Sequence, residues 1–239
     1  MIMNRIVFLF LSVAILGMSN CNKPGVNILP YGPIPAILGI DYDNDMYTLV
    51  TSSETLLAPE ITYSLMLEYG FFEGDAVLAY YSVNYDQQPY EGRITVTDVS
   101  FERMDPSYMY PEESIEITEN FNISIISIDG LSRVEYQGNI VFFLLFNHFS
   151  LPNKFEYVMT YGTITEEETP IVYIRARTIE EGANAGNFRI INAFVMSDFL
   201  YQLKSKGINE FDIMYVEIGH NGEEVFRNWT GNPVPVEVD

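Results

Sequence analysis

Few side chains in this sequence are of the types that enzymes most often use for catalysis. The 239 residues include one cysteine, Cys21, and two histidines, His148 and His220. A zinc site needs three or four His, Cys or carboxylate ligands, and neither histidine belongs to an HExxH or HxH motif. His220 precedes Asn221-Gly222, which favours a solvated turn, whereas His148 follows an apolar run and is expected to form hydrogen bonds at a strand end. The sequence therefore predicts no metal site, no cofactor and no catalytic histidine.

Carboxylates are the remaining candidates for acid–base chemistry. The chain holds 33 Asp and Glu residues, and hydrolysis of a glycoside needs only two carboxylates that face each other. Most of these acids fall in hydrophilic runs such as 166–168 and 180–181, which are typical of solvated loops. The chain also lacks the GxSxG, Walker A and GxGxxG motifs. A carboxylate-based hydrolase therefore stays an alternative, and no catalytic residue is predicted.

Three acids have the opening spacing of a calcium-binding loop. Asp41, Asp43 and Asp45 occupy the first, third and fifth positions of an EF-hand pattern. Met46 then stands where the loop needs glycine, and Ser52 stands where it needs glutamate. We expect a solvated acidic turn at the entrance to a strand rather than a metal site, and a weak calcium site stays the alternative.

Aromatic residues are the best candidates for binding. The chain has 17 tyrosines and one tryptophan, and Tyr80, Tyr81, Tyr85 and Tyr90 cluster around one predicted hairpin. Exposed tyrosines stack on sugar rings or on protein surfaces, although tyrosine also suits strands for reasons of packing alone. These four residues and Trp229 are the predicted ligand-binding residues.

The start of the chain predicts where the protein is held. Arg5 precedes an apolar run, residues 6–16, which is too short to span a membrane. The run leads to Cys21, and this region resembles the lipobox of bacterial lipoproteins, in which the cysteine is acylated after removal of the signal peptide. We expect residues 1–20 to be the signal peptide and Cys21 to carry a lipid anchor in the outer membrane. Residues 22–25 are not acidic, which favours the periplasmic face over the cell surface.

Charge narrows the range of partners. Without the signal peptide the chain carries 11 Lys and Arg against 33 Asp and Glu, a net charge of −22. Such a surface repels phosphate backbones, so nucleic-acid binding is not expected. The expected partners are the membrane, through the lipid at Cys21, and an envelope protein or a glycan. An apolar content of 48% is sufficient for a folded core.

Period-two patterns predict an all-β protein with two domains. Residues 21–40 are rich in Pro and Gly and are interpreted as a tether, and residues 41–104 as a small OB-like β-barrel. Strands are expected at 61–67 and 76–81, with a bulge near Asp98, where the alternation changes parity. Residues 105–113 contain two prolines and are interpreted as a linker.

Residues 114–239 predict an antiparallel β-sandwich with one short helix. The expected strands include 140–146, 155–161, 171–174, 188–195 and 211–218, and Asn221-Gly222 indicates a hairpin. Residues 197–207 have a capping serine, an acidic first turn, a basic last turn and a terminal glycine, which predict the helix.

This layout resembles the NigD-like lipoproteins of Bacteroidetes. The resemblance lies in the lipoprotein signal, the acidic entry to the first strand at 41–49, Gly74–Leu78 within the small barrel, the segment 92–103, and the turn and helix before the penultimate strand pair. It implies an OB-like domain followed by a β-sandwich. It implies no catalytic residues.

The function predicted from these observations is non-enzymatic. We expect a cell-envelope lipoprotein that binds or scaffolds a partner. Three alternatives stay open: a glycan-binding accessory lipoprotein, a fimbrial-type surface subunit with a displaceable C-terminal strand near 233–239, and the carboxylate-based hydrolase.

Overall fold

The computed structural model describes residues 28–89, 92–114, 121–165, 167–229 and 233–237. The predicted signal peptide, Cys21 and Tyr90 lie outside these residues. The described chain forms two sheets, and the predicted all-β class is confirmed. It holds two α-helices rather than the one expected. None of its helices is long and apolar enough to cross a membrane.

The first sheet forms a small barrel of the OB type. Its strands are β1 (Ile28–Asp41), β2 (Met46–Val50), β3 (Thr55–Leu57), β4 (Ala76–Asn84) and β5 (Val96–Arg103). They pair in the order β3-β2-β1-β4-β5, and a parallel bridge between Leu57 and Thr95 joins the two ends of the sheet. The Leu57 N–H donates to the Ile94 carbonyl across this joint, at 2.9 Å. The sheet therefore closes into a five-stranded barrel, in agreement with the predicted small OB-like barrel, although it begins at residue 28 rather than 41.

The predicted tether is wrong over residues 28–40, because they belong to β1. The first half of β1 has only β4 as a partner, so its other edge is free, and edge strands tolerate proline. A register shift between Tyr31 and Ile34 accommodates Gly32-Pro33, with Gly32 at a φ of 131°. Proline and glycine here mark the unpaired edge of the first half of β1 and its bulge.

The bulge predicted in β5 is confirmed. Asp98 has a φ of 52°, and the register with β4 shifts between Tyr80 and Ser82 at this position. The alternation of apolar residues therefore changes parity where the pairing does.

The strand predicted at 61–67 is instead helix α1 (Tyr63–Tyr69). The Thr62 hydroxyl accepts from the Leu65 N–H at 3.3 Å and caps the helix, and Gly70 ends it in a left-handed conformation. Met66 lies buried in the barrel core. The end signals were present in the sequence, but one short apolar stretch fits either a strand or a helix.

The second sheet contains seven strands. They are β6 (Ser107–Pro111), β7 (Ser127–Tyr136), β8 (Asn139–Tyr161), β9 (Ile171–Val195), β10 (Glu210–Ile218), β11 (Glu224–Asn228) and β12 (Val234–Pro235). The order is β11-β10-β9-β6-β8-β7, with β8 also paired to β9 and β12 paired to β10. The hairpin expected at Asn221-Gly222 joins β10 to β11.

Strands β8 and β9 form one long antiparallel hairpin that folds over on itself. Register shifts between His148 and Phe155 mark the bend. The bend brings Phe146 of one half onto Tyr157 of the other, with ring centroids 4.2 Å apart. The four strands predicted at 140–146, 155–161, 171–174 and 188–195 are therefore halves of two strands, and the two halves supply the two layers of the sandwich.

Strand β6 corrects the predicted linker at 105–113. Ser107 pairs with Phe194 of β9, while Met109 pairs with Met159 of β8, and both pairings are parallel. Strand β9 also pairs with β10 in parallel. The sandwich is therefore mixed rather than purely antiparallel, since β6 bridges two parts of the hairpin that the bend has brought together.

Helix α2 (Ser197–Ser205) lies where the sequence predicts it. Phe199, Leu200 and Leu203 are buried in the sandwich core. The Ser197 hydroxyl accepts from the Ile140 N–H at 2.8 Å and so ties the helix to β8, instead of capping its own helix.

An apolar cluster joins the barrel to the sandwich. The barrel supplies Ile37 and Ala76, and the sandwich supplies four buried residues, Val134, Val141, Phe143 and Ala193. Odd-numbered Ile37 points to this cluster, while Ala36 and Leu38 point into the barrel. Strand β1 is thus buried on both faces at this point.

Candidate functional site

The predicted tyrosines of the barrel do not form one surface. Tyr80 and Tyr85 are 38% and 43% exposed, but Tyr81 is buried. The Tyr81 ring stacks on Tyr31, at 5.4 Å between centroids, and the Tyr31 hydroxyl lies 2.7 Å from that of Tyr85. Tyr80 packs over Gly32 instead. These residues therefore complete the packing around the edge of β1.

Trp229 lies in the other domain. It is half-buried against the sandwich core, and its indole N–H donates to the Ile128 carbonyl at 2.8 Å. It shares no surface with Tyr80 or Tyr85.

His148 forms hydrogen bonds on both ring nitrogens. Its Nδ1 is 3.0 Å from the Ser124 carbonyl oxygen, and its Nε2 is 2.6 Å from the Tyr157 hydroxyl oxygen. A carbonyl only accepts, so Nδ1 carries the proton and Nε2 accepts from Tyr157. Burial lowers the pKa of His148 and raises that of Tyr157. The expected hydrogen-bonding role of His148 is confirmed, although the residue lies within β8 rather than at its end.

The carboxylate of Asp41 is committed to its own turn. It accepts from the Asn44 side-chain amide at 2.9 Å and from two backbone N–H groups, and it forms an ion pair with Arg93. Asp43 and Asp45 are exposed. In the described part of the chain, no three His, Cys, Asp or Glu side chains lie close enough together to hold a metal ion.

A groove of about 480 Å³ follows strand β6 on the outside of the sandwich. Tyr108 and Tyr110 occupy its rim and are 63% and 46% exposed, whereas Met109 between them packs against the core. Two hydroxyl side chains, Ser107 and Ser114, also line the groove.

A charged pair lies in the same groove. Glu156 of β8 and Arg177 of β9 are cross-strand partners, and their side chains form an ion pair through two guanidinium nitrogens. Both side chains are only partly buried, at 40% and 36% exposure, so their outer hydrogen-bonding positions face the groove. The site therefore combines two aromatic rings with hydrogen-bond donors and acceptors, and the charges of Glu156 and Arg177 cancel.

A buried arginine, Arg175, connects the strands that form the groove. Arg175 is 3% exposed, and its guanidinium donates to Glu112 at 3.1 Å and to Thr160 at 3.2 Å, with Glu224 at 3.4 Å. Three aromatic rings lie 5.3–5.8 Å from its Cζ atom, those of Phe121, Tyr173 and Phe226. Since Glu112 directly follows β6, this contact fixes the end of the groove.

The sequence does not reveal the groove, because the prolines of 105–113 predict a linker rather than a strand. A signal was present: Tyr108, Met109 and Tyr110 alternate with period two. Three residues are too few to separate a strand from a turn when prolines flank them. The ion pair between Glu156 and Arg177 cannot be predicted from the sequence either, because the two residues meet only through the pairing of β8 with β9.

Comparisons with known proteins define the fold. No family model and no curated protein matches this chain. An uncharacterized protein from Parabacteroides merdae is similar in structure, with a TM-score of 0.59 and 13% identity over 88% of this chain and 100% of that one. A protein of unknown function, DUF1344, from Bacteroides vulgatus has a TM-score of 0.52 and 14% identity over 87% and 95%.

A NigD-like immunity protein from Bacteroides caccae is also similar, with a TM-score of 0.45 and 10% identity over 87% of this chain and 94% of that one. The first two structures support the fold that the resemblance stated from the sequence implies. The likeness to these two proteins extends over 100% and 95% of their chains and is a likeness of fold. No enzyme family is indicated among these proteins.

Proposed function

We propose that this chain is a non-enzymatic lipoprotein of the cell envelope that binds a ligand in the groove along β6. The supporting observation is the pair of exposed rings, Tyr108 and Tyr110, beside the Glu156–Arg177 ion pair. Exposed aromatic side chains next to a few polar groups are the usual composition of a binding site. This groove replaces the tyrosines of the barrel hairpin as the proposed binding residues.

The proposal places the protein on the outer membrane through a lipid at Cys21, facing the periplasm. Its support is the pattern of the signal peptide and the single cysteine that follows it. Mass spectrometry of the N-terminus of the protein isolated from cells tests this part. A diacylated or triacylated Cys21 is expected, and a free thiol at that position would exclude the anchor.

Binding is preferred over a role as a fibre subunit because the C-terminal segment is firmly packed. Val234 and Val236 are buried in the sandwich core. The Arg133 guanidinium donates to the Val236 carbonyl at 2.6 Å, and Lys204 pairs with Glu237. Displacing this segment would expose both valines, which disfavours exchange of the strand between subunits.

Retention of envelope material on the immobilised protein tests the proposed function. Three forms are compared: the wild type, the Tyr108→Ala/Tyr110→Ala variant, and Tyr201→Ala as a control. Tyr201 lies on α2 and is 74% exposed, so its loss matches the surface change without touching the groove. The double variant is expected to lose most of the signal from an unfractionated envelope extract, and the control to keep it. Equal retention by all three forms would exclude the groove.

A further inference from the structure

Tyr108 and Tyr110 present two stacking positions in a row. They are successive outward residues of one strand, so their attachment points lie ~7 Å apart along β6. Met109 anchors the strand between them in the core. The two exposed rings therefore lie on the same side of one strand, where two neighbouring flat groups of one ligand can rest on them.

The charges in the groove favour an uncharged ligand. Arg177 is already paired with Glu156, so an anion would have to displace a carboxylate that is held through two guanidinium nitrogens. Glu112 and Glu113 follow β6 directly, and the chain as a whole has an excess of 21 negative charges. The carboxylate that lines the groove, Glu156, is neutralised by Arg177 and therefore does not favour a cation.

The polar groups that remain fit hydroxyl groups. The outer atoms of Glu156 accept hydrogen bonds and those of Arg177 donate them, Ser107 can do both, and the Ser114 hydroxyl, which donates to the Pro111 carbonyl at 2.7 Å, can accept. A ligand that offers many hydroxyl groups at its edge and apolar C–H faces above and below satisfies both parts of the groove. Pyranose rings have these properties.

From this geometry we infer that the ligand is a neutral oligosaccharide with at least two adjacent sugar rings. One ring stacks on Tyr108 and the next on Tyr110, and their hydroxyl groups bond to Glu156 and Arg177. This inference rests on the proposed function, since it names the class of ligand for the same groove.

Isothermal titration of the full chain in a detergent without a sugar headgroup tests the inference. The probes are cellotetraose, maltotetraose, mannotetraose and xylotetraose, with tetragalacturonate as the charged probe and the matching monosaccharides as length controls. At least one neutral tetrasaccharide is expected to bind. Its monosaccharide is expected to bind at least tenfold more weakly, because it fills only one of the two positions.

Variants separate stacking from other contributions. Tyr108→Ala and Tyr110→Ala are each expected to weaken binding of that tetrasaccharide about tenfold, which is the range for one lost aromatic contact. Tyr108→Phe keeps the ring and is expected to retain binding within about threefold. Tyr201→Ala is the surface control.

The outcomes distinguish the two proposals. If envelope material is retained through Tyr108 and Tyr110 but no neutral tetrasaccharide binds, or tetragalacturonate binds more tightly, the ligand class is wrong and the groove stands. Sensitivity of that retained material to protease would then identify a protein ligand. If neither the retention of envelope material nor the binding of sugars depends on the two tyrosines, both proposals are wrong.

Discussion

The buried position of His148 determines its protonation state. His148 is 1% exposed, and its neutral form is held between a carbonyl acceptor and the Tyr157 hydroxyl. Protonation would place a second N–H against a hydroxyl that already donates, in a site closed to water. The lowered pKa of His148 follows from this burial.

As the pH decreases below the ordinary histidine pKa of ~6.5, the free energy of unfolding is expected to decrease. The reason is that the unfolded chain then binds a proton at His148 that the folded chain does not bind. Above that pH the histidine contributes no pH dependence. We predict a loss of unfolding free energy between pH 7 and pH 5.5 in the wild type that is absent in His148→Gln. Urea unfolding at each pH measures it.

The variant itself is expected to be about 1–2 kcal/mol less stable at pH 8, because it disturbs two buried hydrogen bonds. Identical pH slopes for wild type and variant in this window would show that His148 does not control them. Carboxylates titrate mainly below it.

Arg175 is expected to make a large contribution to the stability of the fold. Its guanidinium is the shared partner of Glu112, Glu224 and Thr160 under three aromatic rings. Arg175→Ala is expected to cost about 3–5 kcal/mol, since it breaks a buried ion pair and opens a cavity. Glu112→Gln is expected to cost about 1–2 kcal/mol, because Glu224 still balances the charge. Denaturant unfolding compares the two, and equal costs would contradict the shared-partner arrangement.

At the scale of elements, the turn between β7 and β8 clamps the barrel. The Tyr136 hydroxyl accepts from the Ile40 N–H at 3.0 Å and donates to Glu73, which also accepts from Gln137 and Tyr42. Burial and the Glu73 carboxylate raise the pKa of Tyr136 to about 12. The hydrogen bond from Tyr136 lowers the pKa of Glu73 against the opposing effect of burial.

Gly39 makes this clamp possible. A Cβ at this position would lie 2.8 Å from the Tyr136 ring and 2.7 Å from the Thr48 hydroxyl. Gly39→Ala is expected to destabilise the protein by about 1–3 kcal/mol through overpacking, and by less in a Tyr136→Ala background, as a double-mutant cycle will measure. Gly162→Ala is the matched control, because nothing lies within 4 Å of its added Cβ. Additive costs in the cycle would mean that the ring is not the obstacle.

At the scale of the molecule, the barrel and the sandwich are expected to unfold together. Phe143 is 2% exposed in the apolar cluster between them, and β1 contributes to that cluster and to the barrel core at once. The only tryptophan, Trp229, packs against the sandwich core and reports on the sandwich alone.

Leu49→Ala in the barrel core is therefore expected to lower the denaturation midpoint that Trp229 fluorescence records in the sandwich. The expected cost is about 2–5 kcal/mol, and circular dichroism should give the same midpoint. A fluorescence midpoint that stays at the wild-type value while the dichroism midpoint falls would show two independent domains.

The sequence alone determined the features that depend on near neighbours along the chain. Alternating residues predicted the all-β class, the change of parity at Asp98 predicted a bulge, and the charges and terminal glycine of residues 197–207 predicted α2. Each of these signals is local, because side-chain direction and helix ends depend on residues within one or two turns of the chain.

Only the tertiary structure decided which segments meet. The bend in the β8–β9 hairpin places β6 between two parts of it and sets Tyr108 beside Glu156 and Arg177, which lie 48 or more positions away. The pairing of β1 with β4 likewise made a strand of 28–40, since the first half of β1 has no partner on its other side and there tolerates prolines. Such pairings depend on burial and on the register between distant strands. The spacing of residues along one segment determines neither of them.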